Sequence, residues 1–383
     1  MKRGCDKKGL RSETVLVLQG GGSLGAYECG VYRTLAKHNI KFDIIAGTSI
    51  GAVNASIITS TQDDNNSAEI LEHFWLTLAE NILPPILTSF FTNRTRAALA
   101  SIYGTIYGNS KAFMPRWFMP NTPDYLSPYN WTYLYDSTPL KNTLKQYVDF
   151  TKLKTKSNDS SNNDNNNNDF KPRLILTSTD IQRGEPVIFD SNNMDIDVDH
   201  VIACTGYPFY GISWTKKDGR YLWDGSLLSN TPVLEVINAS PRSGKKFYIV
   251  DIFPRVQEHL PKNMSNVWHR ARDIMYIDKV DNNVKLLNVV TEHHLNLLKE
   301  LYEIVSSSKL DEKNKVRFDK IQSECNRVAN EHHTILNKVT RIQRKETEHF
   351  IFEDADFSVA TIKKLIRQGE QDAENAIREK RSA

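Results

Sequence analysis

The sequence has few cysteines. Only four occur in 383 residues, and no two of them form a C-x-x-C pair. This sparse distribution argues against a disulfide framework and against a cysteine-based zinc site. Free thiols in a reducing compartment fit the pattern best. The four residues are Cys5, Cys29, Cys204 and Cys325.

Long apolar runs are missing as well. No stretch approaches the ~20 apolar residues of a membrane-spanning helix. The apolar run at residues 15–18 is shorter than the roughly 7–15 residues of a signal-peptide core. We therefore expect no transmembrane segment, no cleavable signal peptide and a cytoplasmic or peripheral membrane location, with export by a signal-independent route left open. The most apolar stretch, residues 81–91, contains Pro84 and Pro85 and predicts a buried loop or, alternatively, an interfacial lid.

Neither sign of charge dominates. The 49 basic and 46 acidic residues leave a net charge of only +3. Nucleic-acid-binding proteins concentrate basic side chains on one surface, so we expect no nucleic-acid partner. Weak attraction to anionic membranes remains compatible with this charge. The 39% apolar and 25% charged residues are ordinary for a globular protein.

Buried strands alternate with helices in the first part of the chain. Residues 14–19 and 42–47 are short, β-branched apolar runs, and each is followed by a helical pattern. This order is typical of a parallel sheet in an α/β fold. Further apolar runs at residues 173–180, 186–190 and 246–254 predict additional strands.

Composition suggests three regions. Residues 1–13 are basic and polar and predict a flexible N-terminus, residues 14–260 predict the α/β domain, and residues 261–383 predict a helical C-terminal region. Within the domain, residues 157–169 lack apolar side chains and predict a disordered Asn-rich loop. Apolar spacing in the last region predicts helices through residues 286–304 and 316–342. We expect them to pack on the α/β domain, with a dimerising coiled coil as the alternative.

The sequence Gly47-Thr48-Ser49-Ile50-Gly51 is a G-x-S-x-G motif. It stands where a predicted buried strand runs into a helix of small residues. Gly47 and Gly51 allow a sharp turn there, so that Ser49 projects from the carboxyl end of the sheet near a helix N-terminus. Ser49 is therefore the candidate nucleophile.

A glycine-rich turn follows the preceding strand and contains Gly20, Gly21, Gly22 and Gly25. It formally matches the dinucleotide fingerprint, but the second strand ends in Gly47-Thr48-Ser49 rather than in an acidic residue. A phosphate-binding P-loop would need a Gly-Lys-Ser/Thr sequence, which is absent. We interpret the turn as an oxyanion hole, because adjacent parallel strands would place its N–H groups beside Ser49.

The proton acceptor for Ser49 is not obvious, because no histidine stands in a loop with a supporting acid. We therefore predict a Ser–Asp dyad, in which a carboxylate accepts the serine proton directly. The candidate carboxylates are Asp180, Asp190, Asp224 and Asp251. Asp224 is preferred because Gly225 follows it at the end of an apolar run, and Asp251 is the second choice.

These three motifs, read in order as "GGGSLG", "GTSIG" and "DGS", resemble those of the patatin-like phospholipases. The closest likeness is to a bacterial branch with an extra C-terminal region, and it covers most of the chain. The resemblance implies a three-layer α/β/α sandwich with a mostly parallel sheet. It implies Ser49 as nucleophile, Asp224 as proton acceptor, and a lipid or phospholipid substrate whose ester is hydrolysed without metal or cofactor.

Two positions depart from the family pattern. Leu24 stands where plant and animal relatives often have Arg or Lys, although the bacterial branch shares the leucine. Ser226 follows Gly225 where the family has Gly or Ala, and its hydroxyl could hydrogen-bond Asp224. The alternatives to a hydrolase are a catalytically inactive binding protein on the same scaffold and a dinucleotide-dependent oxidoreductase. The segment near Trp117 and the Pro84–Pro85 run are candidates for the acyl-chain pocket or for peripheral membrane contact.

Overall fold

The computed structural model describes residues 12–62, 66–79, 92–122, 124–154, 171–240, 244–257, 260–277, 314–323, 336–345 and 353–382, and a few residues between 297 and 305. Three predicted features therefore lie outside the described residues: nearly all of the N-terminal segment, the Asn-rich loop and the Pro84–Pro85 run. The same holds for most of the helix predicted at residues 286–304. Of the N-terminal segment, Ser12 and Glu13 already belong to the first strand.

The strands, in chain order, are β1 (Ser12–Leu18), β2 (Ile44–Thr48), β3 (Met114–Pro115), β4 (Tyr135–Asp136), β5 (Arg173–Asp180), β6 (Glu185–Asp190), β7 (Thr215–Lys217), β8 (Arg220–Asp224), β9 (Gly244–Asp251) and β10 (Leu336–Gln343). Among the described residues, β3 and β4 form a separate two-stranded sheet, and the others form one eight-stranded sheet. In this main sheet the run β10-β9-β1-β2-β5 is parallel, while β6, β7 and β8 are antiparallel to their neighbours.

The helices are α1 (Gly25–Lys37), α2 (Ile50–Thr61), α3 (Ser67–Leu78), α4 (Asn93–Tyr107), α5 (Thr138–Tyr147), α6 (Val198–Ala203), α7 (Val233–Ala239), α8 (Met264–Tyr276) and α9 (Val359–Ser382). They cover both faces of the main sheet. Leu16 and Leu18 of β1 belong to the larger core, which is shared with α1, α2, α3 and α9, whereas Val15 and Val17 pack with α7. This is the expected three-layer α/β/α architecture, in which a parallel sheet is covered on both sides.

β5 brings two other strands end to end. Residues 175–180 of β5 pair with β6 along one edge. Along the opposite edge, Thr177 pairs with Thr48 at the end of β2, and the next residue, Ser178, pairs with Asp224 at the end of β8. The carboxyl ends of β2 and β8 therefore meet at neighbouring positions on one strand.

The C-terminal part of the chain contributes to the same core. Residues 314–323 are helical, which confirms the start of the helix predicted through residues 316–342. Strand β10 lies parallel to β9, so the same prediction is wrong for Leu336–Gln343. Helix α9 packs on α1 with little separation: an added Cβ at Gly30 would lie 1.9 Å from the Ile366 carbonyl oxygen, and one at Gly369 would lie 2.1 Å from that of Tyr27. The domain boundary near residue 260 stays a prediction.

No helix in the described part of the chain combines the length and the apolar character needed to cross a bilayer.

Candidate active site

Ser49 occupies the sharp turn between β2 and α2. Its φ of 56° and ψ of −125° place this non-glycine residue in a strained backbone region. The flanking glycines are required for close packing, because a Cβ at Gly47 would lie 2.2 Å from the Gly51 carbonyl oxygen, and one at Gly51 would lie 2.5 Å from that of Leu18. This is the geometry that a nucleophile elbow requires.

Asp224 is brought to Ser49 by the end-to-end arrangement of β2 and β8. Thr48 and Asp224 pair with successive residues of β5, and Ser49 directly follows Thr48. Gly225 allows the chain to turn away at this point, because a Cβ there would lie 2.5 Å from the Thr177 carbonyl oxygen. The structure thus brings the predicted nucleophile and the predicted proton acceptor together.

The Asp224 carboxylate is fully buried, and burial raises its pKa to about 6. The Ser49 hydroxyl, the Ser226 N–H and the Ser226 hydroxyl act in the opposite direction and lower this pKa. Oδ1 accepts a hydrogen bond of 2.8 Å from the Ser226 N–H. Oδ2 has no partner of ordinary hydrogen-bond geometry among the described residues.

The other candidate carboxylates each face an arginine. Asp180 pairs with Arg183 at 3.0 Å, and Asp251 pairs with Arg341 at 2.7 Å. Asp190 forms an ion pair with Arg173. In the described part of the chain Asp224 has no such cation, which leaves its carboxylate available to accept a proton.

Histidine does not take part in this site as far as the chain is described. Four histidines are described, and none of them lines the cavity that contains Ser49. Each one instead contacts a carboxylate or a tyrosine elsewhere. The four residues are His38, His73, His200 and His269.

The glycine turn supplies fewer oxyanion donors than its sequence suggests. The Gly20 N–H donates to Asn230 Oδ1 at 3.1 Å, and the Gly25 N–H bonds within the turn to the carbonyls of Gly22 and Ser23. Gly20 and Gly25 are therefore corrected from donors to residues that shape the turn. The N–H groups of Gly21 and Gly22 have no hydrogen-bond acceptor among the described residues, and both glycines line the cavity.

Ile50 carries a further N–H group at the site that the sequence alone did not identify. It is the first residue of α2, and N–H groups in the first turn of a helix lack an intrahelical acceptor. Ile50 also lines the cavity. Its position directly after Ser49 is the usual place of an oxyanion donor beside a serine in a G-x-S-x-G turn.

Residues near the C-terminus support the glycine turn from outside. Gly22 has a φ of +57°, and a Cβ there would lie 2.4 Å from the Asp354 carbonyl oxygen. The Ser23 hydroxyl donates to the Glu353 carbonyl at 3.1 Å. These contacts span more than 300 residues of sequence, and no local motif indicates them.

The cavity beside Ser49 has a volume of about 330 Å³ and is lined mainly by apolar and aromatic side chains. Ser226 and Asp354 also line it, and no lysine, arginine or histidine does so among the described residues. Trp117 is not part of the lining. Its ring packs behind the lining residue Tyr135, with 5.5 Å between ring centroids.

Comparison with known proteins gives short curated matches and distant structural ones. A triacylglycerol lipase of Arabidopsis thaliana, SDP1L, is 47% identical over 45 residues, 12% of this chain and 6% of the lipase. The patatin-like phospholipase domain-containing protein ZK370.4 of Caenorhabditis elegans is 47% identical over 49 residues, 13% of this chain and 4% of that protein. The chain thus matches only a small part of the length of these curated relatives.

Two solved structures are similar over most of this chain. VipD from Legionella pneumophila has 12% identity and a TM-score of 0.38, with 99% of this chain and 71% of VipD covered. The type III effector ExoU has 11% identity and a TM-score of 0.35, with 96% of this chain and 53% of ExoU covered. The family model for patatin-like phospholipases matches residues 16–237, which is more than half of the sequence. The chain therefore belongs to the patatin-like phospholipase family.

Proposed function

We propose that the protein is a lipid acyl hydrolase of the serine hydrolase type, in which Ser49 and Asp224 form a catalytic dyad. The observation that carries the proposal is a buried carboxylate, without a cationic partner in the described residues, placed beside a serine in a strained turn. A carboxylate with a pKa of about 6 is a stronger base than an ordinary aspartate and is still ionised at neutral pH.

In the first half-reaction, the Ser49 oxygen attacks the ester carbonyl while its proton passes to Asp224. The oxyanion that forms would accept hydrogen bonds from the N–H groups of Gly21, Gly22 and Ile50. Collapse of the intermediate breaks the ester C–O bond, and the proton held by Asp224 passes to the leaving alcohol. In the second half-reaction, Asp224 takes a proton from the water molecule that attacks the acyl carbon of the acyl-enzyme. The ester bond between this carbon and the Ser49 oxygen then breaks, and Asp224 returns the proton to Ser49 as the fatty acid leaves.

The cavity supports a lipid as the substrate. Its apolar and aromatic lining provides the environment that an acyl chain prefers over water. The family description names phospholipases. We therefore propose the acyl ester of a phospholipid or a related lipid as the bond that is cleaved.

The space around the glycine turn argues against a dinucleotide. An added Cβ at Gly20 would lie 2.5 Å from Asn230 Oδ1 and 2.8 Å from Ser49 Cβ, and one at Gly22 would meet the Asp354 carbonyl. In a dinucleotide-binding turn, the space beside such glycines must be empty so that the pyrophosphate can approach the backbone. Protein atoms occupy it instead.

Labelling with a fluorophosphonate, which reacts with activated serines, tests the dyad. We expect strong labelling of the parent, none of Ser49→Ala and a large loss for Asp224→Asn. Asp251→Asn is the comparison variant, since Asp251 was the second candidate, and circular dichroism shows that each variant is folded. Normal labelling of Ser49→Ala would refute Ser49 as the nucleophile. Normal labelling of Asp224→Asn together with no labelling of Asp251→Asn would assign the role of base to Asp251 instead.

The same experiment addresses an inactive binding protein on this scaffold. The observation that favours this alternative is Asp224 Oδ2, which has no hydrogen bond from Ser49 or another described residue. A folded parent that neither reacts with the probe nor hydrolyses a soluble acyl ester would support that alternative.

A further inference from the structure

Helix α8 is amphipathic, but its polar face is buried and its apolar face is exposed. Its polar residues His269 and Asp273 are buried, whereas Trp268 is 66% exposed. In a soluble domain a surface helix normally turns its apolar face to the core. The exposed apolar residues, called the α8 stripe below, are Met264 (66%), Val267 (44%), Trp268, Ile274 (57%) and Met275 (63%).

An ion cluster fixes this orientation. Arg272 donates to Glu353 Oε1 and to Asp273 Oδ1, each at 2.9 Å. His269 Nε2 lies 3.3 Å from the same Glu353 oxygen, and Arg344 lies 3.1 Å from it. Rotating α8 to bury the stripe would break these buried pairs, which is strongly unfavourable. The stripe therefore stays outside because the polar face is held inside.

The stripe is continuous rather than scattered. Val267 and Trp268 follow Met264 by three and four residues, and Ile274 and Met275 follow Val267 and Trp268 by seven residues, or two helical turns, so all five lie along one side of the helix. Val256 and Leu260 in the preceding loop are also exposed, at 82% and 88%. Isolated exposed apolar side chains need no explanation, but a contiguous group of this size marks an interaction surface.

The stripe leads to the catalytic cavity. Tyr276, the last residue of α8, lines the cavity, and its carbonyl accepts hydrogen bonds from Gln19 and Asn230 at 3.2 and 3.3 Å. The Tyr207 ring contacts both Tyr276 and Phe209, with centroid distances of 5.7 and 5.6 Å. Phe209 lines the cavity and is 72% exposed, so the helix that carries the stripe ends at a cavity whose lining includes an exposed aromatic ring.

Charge favours a particular occupant. The one acidic residue of α8, Asp273, is buried, and the exposed Lys262 and the half-buried Arg270 flank the stripe. An apolar helix face with cationic flanks fits the boundary between the acyl chains and the anionic headgroups of a lipid surface.

We propose that the α8 stripe docks the protein on an anionic lipid surface, with the cavity opening towards the lipid. The choice of a lipid as occupant rests on the proposed function. The docking itself does not require catalysis, so it is measured in the Ser49→Ala background, where the proposed nucleophile is absent.

The test is flotation with phosphatidylcholine vesicles, with and without phosphatidylserine. Binding is compared for the parent, for Trp268→Ser combined with Met275→Ser, and for Leu234→Ser, all carrying Ser49→Ala. Leu234 is the matched control because it is an apolar residue that is 39% exposed on α7, and no residue of α7 lines the cavity. We expect the double variant to lose about 10-fold or more in partitioning, the control to match the parent, and phosphatidylserine to strengthen binding.

Three results would overturn the proposal. One is equal flotation of the double variant and the parent. Another is failure of the parent to bind either vesicle. The last is a dimeric parent that the double variant converts to a monomer without any change in flotation, which would assign the stripe to a second copy of the chain.

The same substitutions in the Ser49-containing protein should leave hydrolysis of a soluble ester unchanged. A parent that binds vesicles in a way that depends on the stripe but hydrolyses no ester would refute the proposed function and leave the docking proposal intact.

Discussion

Asn230 holds Gly20 with both ends of its side-chain amide. Oδ1 accepts from the Gly20 N–H at 3.1 Å, and Nδ2 donates to the Gly20 carbonyl at 3.2 Å. Because Gly20 directly precedes the two glycines with open N–H groups, this pair of bonds fixes the glycine turn relative to Ser49. Asn230 is therefore a positioning residue for the proposed oxyanion hole.

Asn230→Ala should lower kcat more than it raises KM, because the turn would lose its support while the apolar side chains that line the cavity are unchanged. It should also destabilise the fold by about 1–3 kcal/mol, since the Gly20 N–H would lose its side-chain acceptor in the interior. Steady-state kinetics and urea unfolding measure the two effects. Asn142→Ala, an exposed position on α5, should change neither, and unchanged kcat in Asn230→Ala would contradict the role.

The rate of ester hydrolysis should rise with pH and level off above an apparent pKa of about 6, because Asp224 accepts a proton only when it is ionised. Ser226→Ala should move this value upward, since the Ser226 hydroxyl lowers the pKa of Asp224 and the backbone N–H is retained. The measurement is kcat/KM against pH for both proteins. A flat profile between pH 5 and pH 8 in the parent would contradict Asp224 as the base.

Asp224→Asn should make the inactive protein more stable at pH 8. The pKa of Asp224 is raised from 3.8 to about 6 in the folded state. The contribution of this carboxyl group to the stability of the fold is therefore greatest below its unfolded pKa and is lost as pH rises through about 6. At ~1.4 kcal/mol per pKa unit, the loss is on the order of 3 kcal/mol. Urea unfolding of the parent and of Asp224→Asn at pH 4 and pH 8 measures this effect. The gain in the free energy of unfolding of the variant over the parent should be larger at pH 8, and a gain independent of pH would contradict the linkage.

Gly22→Ala should reduce activity by about 10²-fold, the effect of losing one oxyanion donor, because the new Cβ would displace the turn from Asp354. Gly184→Ala is a matched control: its φ of +66° is similar to the +57° of Gly22, but nothing lies within 4 Å of an added Cβ. The control should lose about 1–2 kcal/mol of stability from backbone strain alone and keep its kcat. Equal kcat in both variants would show that the Asp354 contact does not position the turn.

A chain that ends at residue 260 should fail to fold, because it would lack β10, α9 and the buried cluster around Glu353. Limited proteolysis and circular dichroism of this truncation test whether the predicted domain boundary marks an independent unit. A stable, active fragment would support the boundary.

The local features of the site could be predicted from the sequence. The glycines around Ser49 and the strand before it are adjacent in the chain, so the strained turn follows from neighbouring residues alone. Asp224 could be chosen because a short apolar run ends there before a glycine. The roles of Asn230 and Asp354 could not, because their contacts with the glycine turn join distant parts of the chain.

The strand β10 was predicted as helix for a physical reason. Leu336, Val339 and Ile342 recur at a spacing of three, which suits one face of a helix. The residues between them include Thr340, and β-branched side chains favour a strand when a neighbouring edge is available. That edge is supplied by β9, a tertiary fact that periodicity does not contain.

The contact between Gly22 and Asp354 also has a consequence for biosynthesis. Chains emerge from the ribosome from the N-terminus onward, and α/β elements can begin to fold as they appear. Ser49, Asp224 and the glycine turn are made early, but the residues that close the wall of the cavity and cover α1 belong to 353–382, the last described segment. The nascent chain would thus carry Ser49, the proposed nucleophile, in an unfinished pocket, and the proposed hydrolysis would become possible only after residues 353–382 have been made and folded against the glycine turn.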